Sequence, residues 1–204
     1  MTRYRLLYFD IMGLGEPIRF LLSYGDFDFE DVRLDRGEAW AKIKSSMPFG
    51  QVPVLEIDGK KYSQTLPICR YLAKKLDLLG DTDLDVLQVD SAAEAIHELR
   101  KQIALFFRED DPVQKAKKKA ETVKNTAPFY LNRFEDLVKS NDGYFHGGKL
   151  SYADIYFVAI LDFYNYCLEF DVTKDRPHLR TLKEKVQSIP KIKEWLNNRP
   201  KRNF

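Results

Sequence analysis

Residues 52–67, VPVLEIDGKKYSQTLP, contain the pattern that decides the fold. Two short strand-like segments, VPVLEI and KKY, flank Asp58-Gly59, a residue pair that favours the type I′ turn of a β-hairpin. Pro53 cannot donate a hydrogen bond to a β-ladder, so it belongs at a strand start or in a cis turn. Thr65 occupies an N-cap position with Pro67 just inside, which predicts a helix over ICRYLAKKL.

The segments on the N-terminal side of this hairpin alternate between strand and helix patterns. Residues 3–9, RYRLLYF, have high β propensity and predict a short strand. Glu16-Pro17 opens a helix, because proline fits a first turn and an acid there complements the helix dipole, and Gly25 ends it as a C′ residue. Residues 29–34 predict a second strand and residues 38–45 a short helix. The predicted order is therefore βαβαββα.

The chain changes character after Gly80, where the strand patterns stop. Apolar residues then recur at helical spacing in four segments, which are 84–110, 113–140, 151–170 and 178–199. The fold class predicted is thus α/β plus all-α. Residues 1–80 form a thioredoxin-like domain, and residues 81–204 form an all-helical domain.

A capping box is predicted at the start of the third helical segment. Ser151 caps the helix, Asp154 at the N3 position reaches back to it, and Leu150 meets Ile155 as a hydrophobic staple. A buried carboxylate could also serve as a catalytic acid, but this spacing favours the capping role for Asp154.

Composition excludes several classes of function. The formal net charge of +2 is too small to indicate a nucleic-acid partner, and no apolar run approaches a membrane span or a signal peptide. The two cysteines are too few for a disulfide framework, which predicts a cytoplasmic protein. The three histidines lie too far apart for metal-ligand spacing, so no structural metal is expected.

The βαβαββα order with a proline before the third strand is thioredoxin-like, yet the Cys-x-x-Cys pair of thioredoxins is absent. This combination suggests a site that binds a thiol. Five motifs spread along the whole chain extend the argument: YFDIMGLGEPIRFLLSYG from Tyr8, MPFGQVPVLEIDGK from Met47, SQTLPICRYL from Ser63, LSYADIYF from Leu150 and IPKIKEWLNNRP from Ile189.

In order and spacing these motifs resemble cytosolic glutathione transferases. The YF ending of the first strand, the Trp40–Lys44 pair and the tail motif resemble the sigma class, which includes insect transferases, hematopoietic prostaglandin D synthase and S-crystallins. The resemblance implies glutathione as a co-substrate, no prosthetic group, a small apolar electrophile and a homodimer.

The resemblance implies that Tyr8 is the catalytic hydroxyl, which donates a hydrogen bond to the glutathione sulfur and so favours the thiolate. Without the resemblance, Tyr8 would be interpreted as a core aromatic residue, which is the role assigned to Tyr4. The other implied contacts with glutathione come from six residues of the first domain: Trp40, Lys44, Gln51, Val52, Gln64 and Thr65.

The resemblance implies that these six residues together hold the tripeptide. The backbone of Val52, before Pro53, is expected to pair with the cysteinyl backbone, with Gln51 beside it. Gln64 and Thr65 are expected to hold the γ-glutamyl carboxylate at a helix N-terminus, where free amides favour an anion. Trp40 and Lys44 are expected to hold the glycyl end. Each residue also has an ordinary interpretation, as a core aromatic, a surface charge or a turn residue.

The sequence departs from the family pattern in three places. Thr65 replaces the usual serine and keeps the hydroxyl. Leu14 replaces the arginine that the vertebrate prostaglandin synthase has near the thiol, which predicts weak or no prostaglandin D synthesis. Glu98 replaces the aspartate that reaches across the dimer to the γ-glutamyl ammonium; its ordinary interpretation is a surface acid pairing with Lys101.

The electrophile pocket is implied to include Leu14, Leu105 and Tyr156, with most of its wall supplied by the second domain. Two alternatives to conjugation remain open at this stage. One is a glutathione-dependent isomerase of the prostaglandin D synthase type. The other is an S-crystallin-like structural protein or a carrier of apolar ligands, although the intact set of glutathione residues argues against it.

Overall fold

The structure is a computed structural model that describes residues 2–202 and 204. Its first domain has the predicted βαβαββα order, and its second domain is helical, which confirms the predicted fold class. The elements of the first domain are β1 (Tyr4–Phe9), α1 (Glu16–Tyr24), β2 (Phe29–Leu34), α2 (Glu38–Ile43), β3 (Val54–Ile57), β4 (Lys60–Ser63) and α3 (Thr65–Lys75).

The four strands form one mixed sheet with the order β2-β1-β3-β4. Strand β1 pairs with β2 in parallel and with β3 antiparallel, so the end of β1 lies in the middle of the sheet. The predicted hairpin joins β3 to β4 through Asp58 and Gly59, whose φ angles of 49° and 84° suit a type I′ turn. The Val52–Pro53 peptide bond is cis.

The helical domain follows from α4 onward and packs around a central helix. Its elements are α4 (Asp83–Phe107), α5 (Pro112–Glu121), α6 (Ala127–Ser140), α7 (Tyr152–Leu168), α8 (Pro177–Ser188) and α9 (Pro190–Asn198). Helix α7 is buried along almost its whole length, and one continuous core links it to α1, α3 and α4. No helix in residues 2–202 combines the length and the apolar character needed to cross a membrane.

Two of the predicted helical segments are interrupted, and proline explains both interruptions. The segment 113–140 contains a π-helical turn, Thr122–Thr126, just before Pro128. The segment 178–199 breaks between α8 and α9 at Pro190. Proline has no backbone N–H and crowds the preceding turn, so an uninterrupted α-helical ladder cannot pass through either position.

Two predicted helix ends are also wrong in detail. Gln64, with φ 75°, is the N-cap of α3, and Thr65 is the first helical residue without a side-chain cap bond. Gly25 ends α1, but its φ is −79° and the left-handed residue is Asp26. Glycine is needed at position 25 for packing, because a Cβ there would lie 2.6 Å from the Leu76 side chain.

The predicted capping box is confirmed. Ser151 and Asp154 cap α7 reciprocally, and the fully buried Asp154 also accepts a hydrogen bond from the Phe145 amide at 2.8 Å. A second capping box, formed by Thr82 and Asp85 at the start of α4, was not predicted. Nothing in the structure tests the domain boundary at residue 80, which stays a prediction.

Candidate active site

A cleft of about 650 Å³ lies between the first domain and helix α4. The first domain lines it with Phe9, Leu14, Trp40, Lys44, Gly50, Gln51, Val52, Pro53, Ser63, Gln64, Thr65, Leu66 and Pro67. Helix α4 and the residue that follows it contribute Glu94, His97, Arg100, Lys101 and Arg108. The structure therefore brings to one cleft, together with Leu14, the six first-domain residues other than Tyr8 that were predicted to contact glutathione.

Tyr8 is not among the residues that line this cleft and is only 5% exposed, but it contacts two residues that do line it, Phe9 and Leu14. It is the penultimate residue of β1, next to Phe9, and their ring centroids are 5.8 Å apart. The Tyr8 hydroxyl oxygen accepts a hydrogen bond from the backbone N–H of Leu14 at 3.0 Å. Because that contact occupies a lone pair of the oxygen, the hydroxyl proton remains available for another acceptor.

The loop between β1 and α1 lies directly on the Tyr8 ring because it contains two glycines. A Cβ at Gly13 would be 2.7 Å from the Tyr8 hydroxyl oxygen, and one at Gly15 would be 2.6 Å from Cδ1 of the ring. Gly13 also has a φ of 43°, which glycine adopts at no steric cost. The two glycines therefore allow the Leu14 amide to approach the phenol.

Trp40 and Lys44 come from the short helix α2 and the turn that follows it. The half-buried Trp40 ring packs edge-on against Phe9 with centroids 5.3 Å apart, while Lys44 is exposed. The two side chains thus offer a flat apolar surface and a cation at one end of the cleft.

The opposite end of this wall contains the N-terminus of α3. Thr65 is buried as the first residue of an 11-residue helix, and Gln64 precedes it with an exposed side chain. Gln51 and Val52 lie between the two ends, just before β3. The free amides at the start of α3 make this end suitable for an anion.

The sequence analysis assigned most of the electrophile wall to the second domain, but it did not predict which polar residues of α4 line the cleft. Glu94, His97, Lys101 and Arg108 recur at intervals of three, four and seven residues, so they share one face of the helix. With Lys44 and Arg100, the cleft contains four cationic side chains and one carboxylate. The helical spacing of these polar residues is the sequence feature that could have indicated a shared polar face on α4.

Arg100 places a buried cation on that wall. The residue is 7% exposed, and its Nε has no hydrogen-bond partner among the described residues. Its guanidinium carbon is 4.9 Å from the centroid of the Phe163 ring, and burial lowers the pKa of the group. The cleft therefore contains a buried arginine although position 14 is leucine, because a different element supplies it.

Tyr156 does not line the cleft, contrary to the prediction. It is fully buried in α7, and its hydroxyl shares a 2.7 Å hydrogen bond with Nδ1 of His97, which does line the cleft. Burial, with Arg100 and Lys101 nearby, lowers the pKa of His97 to about 4. His97 is thus a neutral wall residue at pH 7, with Tyr156 behind it.

Leu105 and Glu98 also lie outside the lining of the cleft. Leu105 shares the face of α4 that carries Lys101 and Arg108 but is 62% exposed. Glu98 is exposed on α4 near Tyr130 of α6, and burial together with a hydrogen bond to Glu98 raises the pKa of that tyrosine. No ion pair joins Glu98 to Lys101 within residues 2–202.

The described residues include no group of three or more histidine, cysteine, aspartate or glutamate side chains arranged to hold a metal ion. Fold and cleft together define a class of protein: a thioredoxin-like domain without its cysteine pair, joined to a helical domain across a cationic cleft, with a tyrosine hydrogen-bonded to the cleft-lining Leu14. That class is the two-domain, thiol-binding transferases.

Comparison with known proteins identifies the family. Residues 5–74 match the family described as "Glutathione S-transferase, N-terminal domain", and residues 97–199 match "Glutathione S-transferase, C-terminal domain". The chain therefore belongs to the glutathione S-transferase family. It is a glutathione transferase, with glutathione as its co-substrate.

Three relatives illustrate the similarity. The chain is 41% identical to Glutathione S-transferase S1 of Drosophila melanogaster over 97% of its own length and 79% of that protein. It is 34% identical to hematopoietic prostaglandin D synthase of Rattus norvegicus, covering 98% of both chains. The solved structure of prostaglandin synthase D of Nilaparvata lugens is 44% identical, covers 98% of this chain and is covered completely, with a TM-score of 0.94.

Proposed function

We propose that Tyr8 activates glutathione by donating its hydroxyl proton in a hydrogen bond to the sulfur. The main support for this proposal is the 3.0 Å hydrogen bond that the Leu14 amide donates to the Tyr8 hydroxyl oxygen. A phenol has one proton and two lone pairs, so this bond orients the hydroxyl as a donor to a ligand. It also polarises the O–H bond, which makes the Tyr8 hydroxyl a stronger hydrogen-bond donor.

The size of the required effect is modest. A free cysteine thiol has a pKa of about 8.5, so only a few per cent is thiolate at pH 7. Lowering the thiol pKa by about two units makes the thiolate the majority species, and each unit corresponds to about 1.4 kcal/mol. One charge-assisted hydrogen bond in a partly dehydrated cleft supplies free energy of that order.

The charge of the cleft suits glutathione, which has two carboxylates and one ammonium group. We assign the γ-glutamyl carboxylate to Gln64, Thr65 and the first amides of α3. The cysteinyl backbone pairs with Val52, beside Gln51, and the glycyl carboxylate faces Trp40 and Lys44. Ionisation of the thiol adds a second net negative charge, which the cations of the α4 wall stabilise.

The electrophile binds against Leu14 and α4 in this proposal. The thiolate attacks an electrophilic carbon and displaces its leaving group, on which negative charge develops. With a lipid hydroperoxide it attacks the peroxide oxygen and breaks the O–O bond, giving the lipid alcohol and a glutathione sulfenic acid that a second glutathione converts to the disulfide and water. The Arg100 guanidinium is positioned on the cleft wall to stabilise the charge on the leaving group. Leu105, exposed on the same face of α4, is assigned to the outer rim.

Prostaglandin isomerisation is a second candidate function. The Nilaparvata and rat relatives are named prostaglandin D synthases, and Arg100 gives this cleft a cation that Leu14 does not. The absence of arginine at position 14 still favours conjugation. Parallel assays of prostaglandin H₂ isomerisation and lipid hydroperoxide reduction decide between them, and a faster isomerisation would reverse the order.

We place the protein in the sigma class, as a cytoplasmic homodimer. The Trp40–Lys44 pair and the similarity to an insect transferase named S1 support the class. Phe49 supports association, because this large apolar side chain is 81% exposed next to the cleft-lining Gly50 and Gln51. Both cysteines are free and buried, as suits a reducing compartment.

Replacing Tyr8 by phenylalanine tests the proposal, because only the hydroxyl is lost. Glutathione should still bind, while turnover of a chlorinated nitrobenzene at pH 6.5 falls roughly tenfold or more and the loss shrinks as pH rises. Tyr4→Phe is the matched control, because Tyr4 lies on the same strand but packs in the core against Phe27. Wild-type turnover by Tyr8→Phe at pH 6.5 would require another thiol activator.

A further inference from the structure

A buried group of charged residues lies behind the Tyr8 ring, outside the lining of the cleft. Glu16 and Arg19, both in α1, are fully buried, and Arg19 Nη1 is 3.1 Å from Glu16 Oε2. Removing two charges from water is costly, so a buried pair is by itself weak evidence for stability. The contacts that this pair makes with neighbouring elements indicate a different role.

Arg19 holds the loop that touches Tyr8. Its Nη1 donates to the carbonyl oxygens of Ile11 at 2.9 Å and Met12 at 3.4 Å, and its Nε donates to Asp31 on β2 at 2.9 Å. Met12 is two residues before Leu14, the residue whose amide donates to the Tyr8 hydroxyl. Arg19 therefore fixes the start of the segment that orients the phenol.

Arg19 also acts on the tyrosine ring directly. Its guanidinium carbon is 5.8 Å from the centroid of the Tyr8 ring, and its Nη2 is buried with no hydrogen-bond partner among the described residues. A cation close to an aromatic face is attracted to the ring, and its positive potential strengthens the hydroxyl as a hydrogen-bond donor.

The second oxygen of Glu16 connects this pair to the C-terminal helix. Glu16 Oε1 accepts hydrogen bonds from Trp195 Nε1 and Arg199 Nη1, each at 2.8 Å. Arg199 Nη2 in turn pairs with Asp162 of α7 at 2.7 Å. Trp195 and Arg199 belong to the tail motif of the sequence, and neither residue is among those that line the cleft.

We propose that Arg19 is a positioning residue for Tyr8, held in place through Glu16 by Arg199 and Trp195, so that the C-terminal helix sets how strongly Tyr8 donates to the glutathione sulfur. The inference rests on the proposed role of Tyr8. Four contacts separate Arg199 from the phenol: Arg199 to Glu16, Glu16 to Arg19, Arg19 to the loop carbonyls, and the Leu14 amide to the hydroxyl.

Arg199→Gln tests the proposal without a substitution at Arg19 or at any residue that lines the cleft. With its partner gone, Glu16 draws Arg19 away from the loop and the ring, so the pKa of bound glutathione, measured by thiolate absorbance, should rise by about 0.5 unit. Turnover at pH 6.5 should fall roughly threefold, with the glutathione KM little changed. Lys191→Gln is the matched control, because Lys191 lies on α9, the helix that Arg199 directly follows, but pairs with exposed Asp26.

Combination with Tyr8→Phe separates positioning from general destabilisation. If Arg199 acts through Tyr8, the double variant should have the same thiol pKa as Tyr8→Phe alone. Additive shifts, or an unshifted thiol pKa in Arg199→Gln, overturn the inference while leaving the role of Tyr8 intact. An unshifted pKa in Tyr8→Phe itself overturns the proposed function instead.

A further variant covers the case in which Arg199→Gln fails to fold. Trp195→Phe removes the other donor to the same oxygen of Glu16 and keeps most of the apolar contact. A smaller rise of the thiol pKa, again absent in the Tyr8→Phe background, supports the proposal. No rise in this folded variant contradicts it.

Discussion

The two walls of the cleft are built on different principles. The wall from the first domain presents backbone groups and short polar side chains, held by the loop on Tyr8, the cis Val52–Pro53 bond and the start of α3. The wall from the second domain is one face of a regular helix, which carries Arg100 and Lys101. The shape of the first wall depends mainly on backbone conformation, whereas the properties of the second depend mainly on which side chains the helix carries.

This difference matches the two substrates of a transferase. A loop that binds through its amides cannot change without refolding, which suits a co-substrate of constant structure such as glutathione. A side chain on an α4 face can be replaced without moving the helix, which suits a variable electrophile. Added volume in the first wall should therefore lower activity sharply. Changes of charge in the second wall should alter activity gradually.

Gly15→Ala should produce the largest effect, because it adds volume to the first wall. Gly15 has helical φ and ψ of −79° and −28°, so alanine strains no backbone, yet its Cβ would lie 2.6 Å from Tyr8 Cδ1. The displaced ring should lower turnover about 100-fold, since a displacement of about 1 Å can have that cost. Steady-state kinetics at pH 6.5 measure the loss.

Gly37→Ala is the control for that experiment. Apart from Gly37 and its two chain neighbours, none of the described residues has a heavy atom within 4 Å of a Cβ at position 37, although its φ of 96° makes alanine unfavourable there. The control should therefore lose stability but keep its turnover. Similar turnover in Gly15→Ala and wild type would show that the loop adapts easily, and the contrast between the walls would not hold.

The same contrast explains how much could be predicted. The strands, the hairpin at Asp58-Gly59 and the Ser151–Asp154 cap depend on residues close in sequence, so their patterns predicted them correctly. The residues expected to contact glutathione were predicted from the family resemblance. Six of them, from Trp40 to Thr65 in chain order, line one cleft in the structure.

The helical wall depends on tertiary packing and was less predictable. Tyr156 lies in a helix that is apolar on every side, so spacing could not tell which face meets the cleft. Arg100 resembles a surface residue in sequence, and only the packing of α4 against α7 buries it. The π-helical turn before Pro128 depends on how the chain accommodates proline, which the segment's helical periodicity concealed.

His97→Gln should change the pH dependence of stability. The folded pKa of His97 is about 4, against about 6.5 when unfolded, so between these values the unfolded chain binds a proton that the folded protein lacks. The stability that neutral His97 contributes is thus present above pH 6.5 and lost as pH falls toward 4. After allowance for partial exposure, the loss is about 2 kcal/mol.

Glutamine at position 97 does not titrate but can still bond to the Tyr156 hydroxyl. Urea unfolding at pH 7 and pH 4.5 should therefore show a smaller loss of unfolding free energy in the variant than in the wild type. Equal losses in both proteins would mean that His97 is protonated normally in the folded state.

Arg100→Met should test the electrophile side of the cleft. Methionine keeps the apolar stem and removes the cation, so kcat/KM for the electrophile should fall about tenfold with the glutathione KM unchanged. Because the buried Nε has no hydrogen-bond partner in the part of the chain that the structure describes, the melting temperature should stay the same or rise. Lys101→Met removes an exposed cation from the same wall and should have a smaller effect.

The opposite pattern would reassign Arg100. A lower melting temperature together with unchanged kcat/KM would make the arginine a structural residue of the helical core, and the electrophile would then bind through shape alone.

Glu98→Ala should have the smallest effect, and it tests whether the cleft has a third wall from a partner subunit. Glu98 lies on α4 but outside the lining of its own cleft, near Tyr130. If it reaches the γ-glutamyl ammonium of the partner's glutathione, its loss should cost about 0.5–1 kcal/mol, as for an exposed ion pair. The glutathione KM should rise severalfold with turnover at saturation nearly unchanged.

Mixed dimers decide which cleft Glu98 serves. In a dimer of Glu98→Ala with Tyr8→Phe, the active Tyr8 faces a partner that keeps its glutamate, so the KM should return to the wild-type value. In a dimer of wild type with the double variant, the active Tyr8 faces a partner without the glutamate, so the KM should stay raised. The reverse result would place the contact within one subunit, and a monomer by light scattering would leave Glu98 a surface residue.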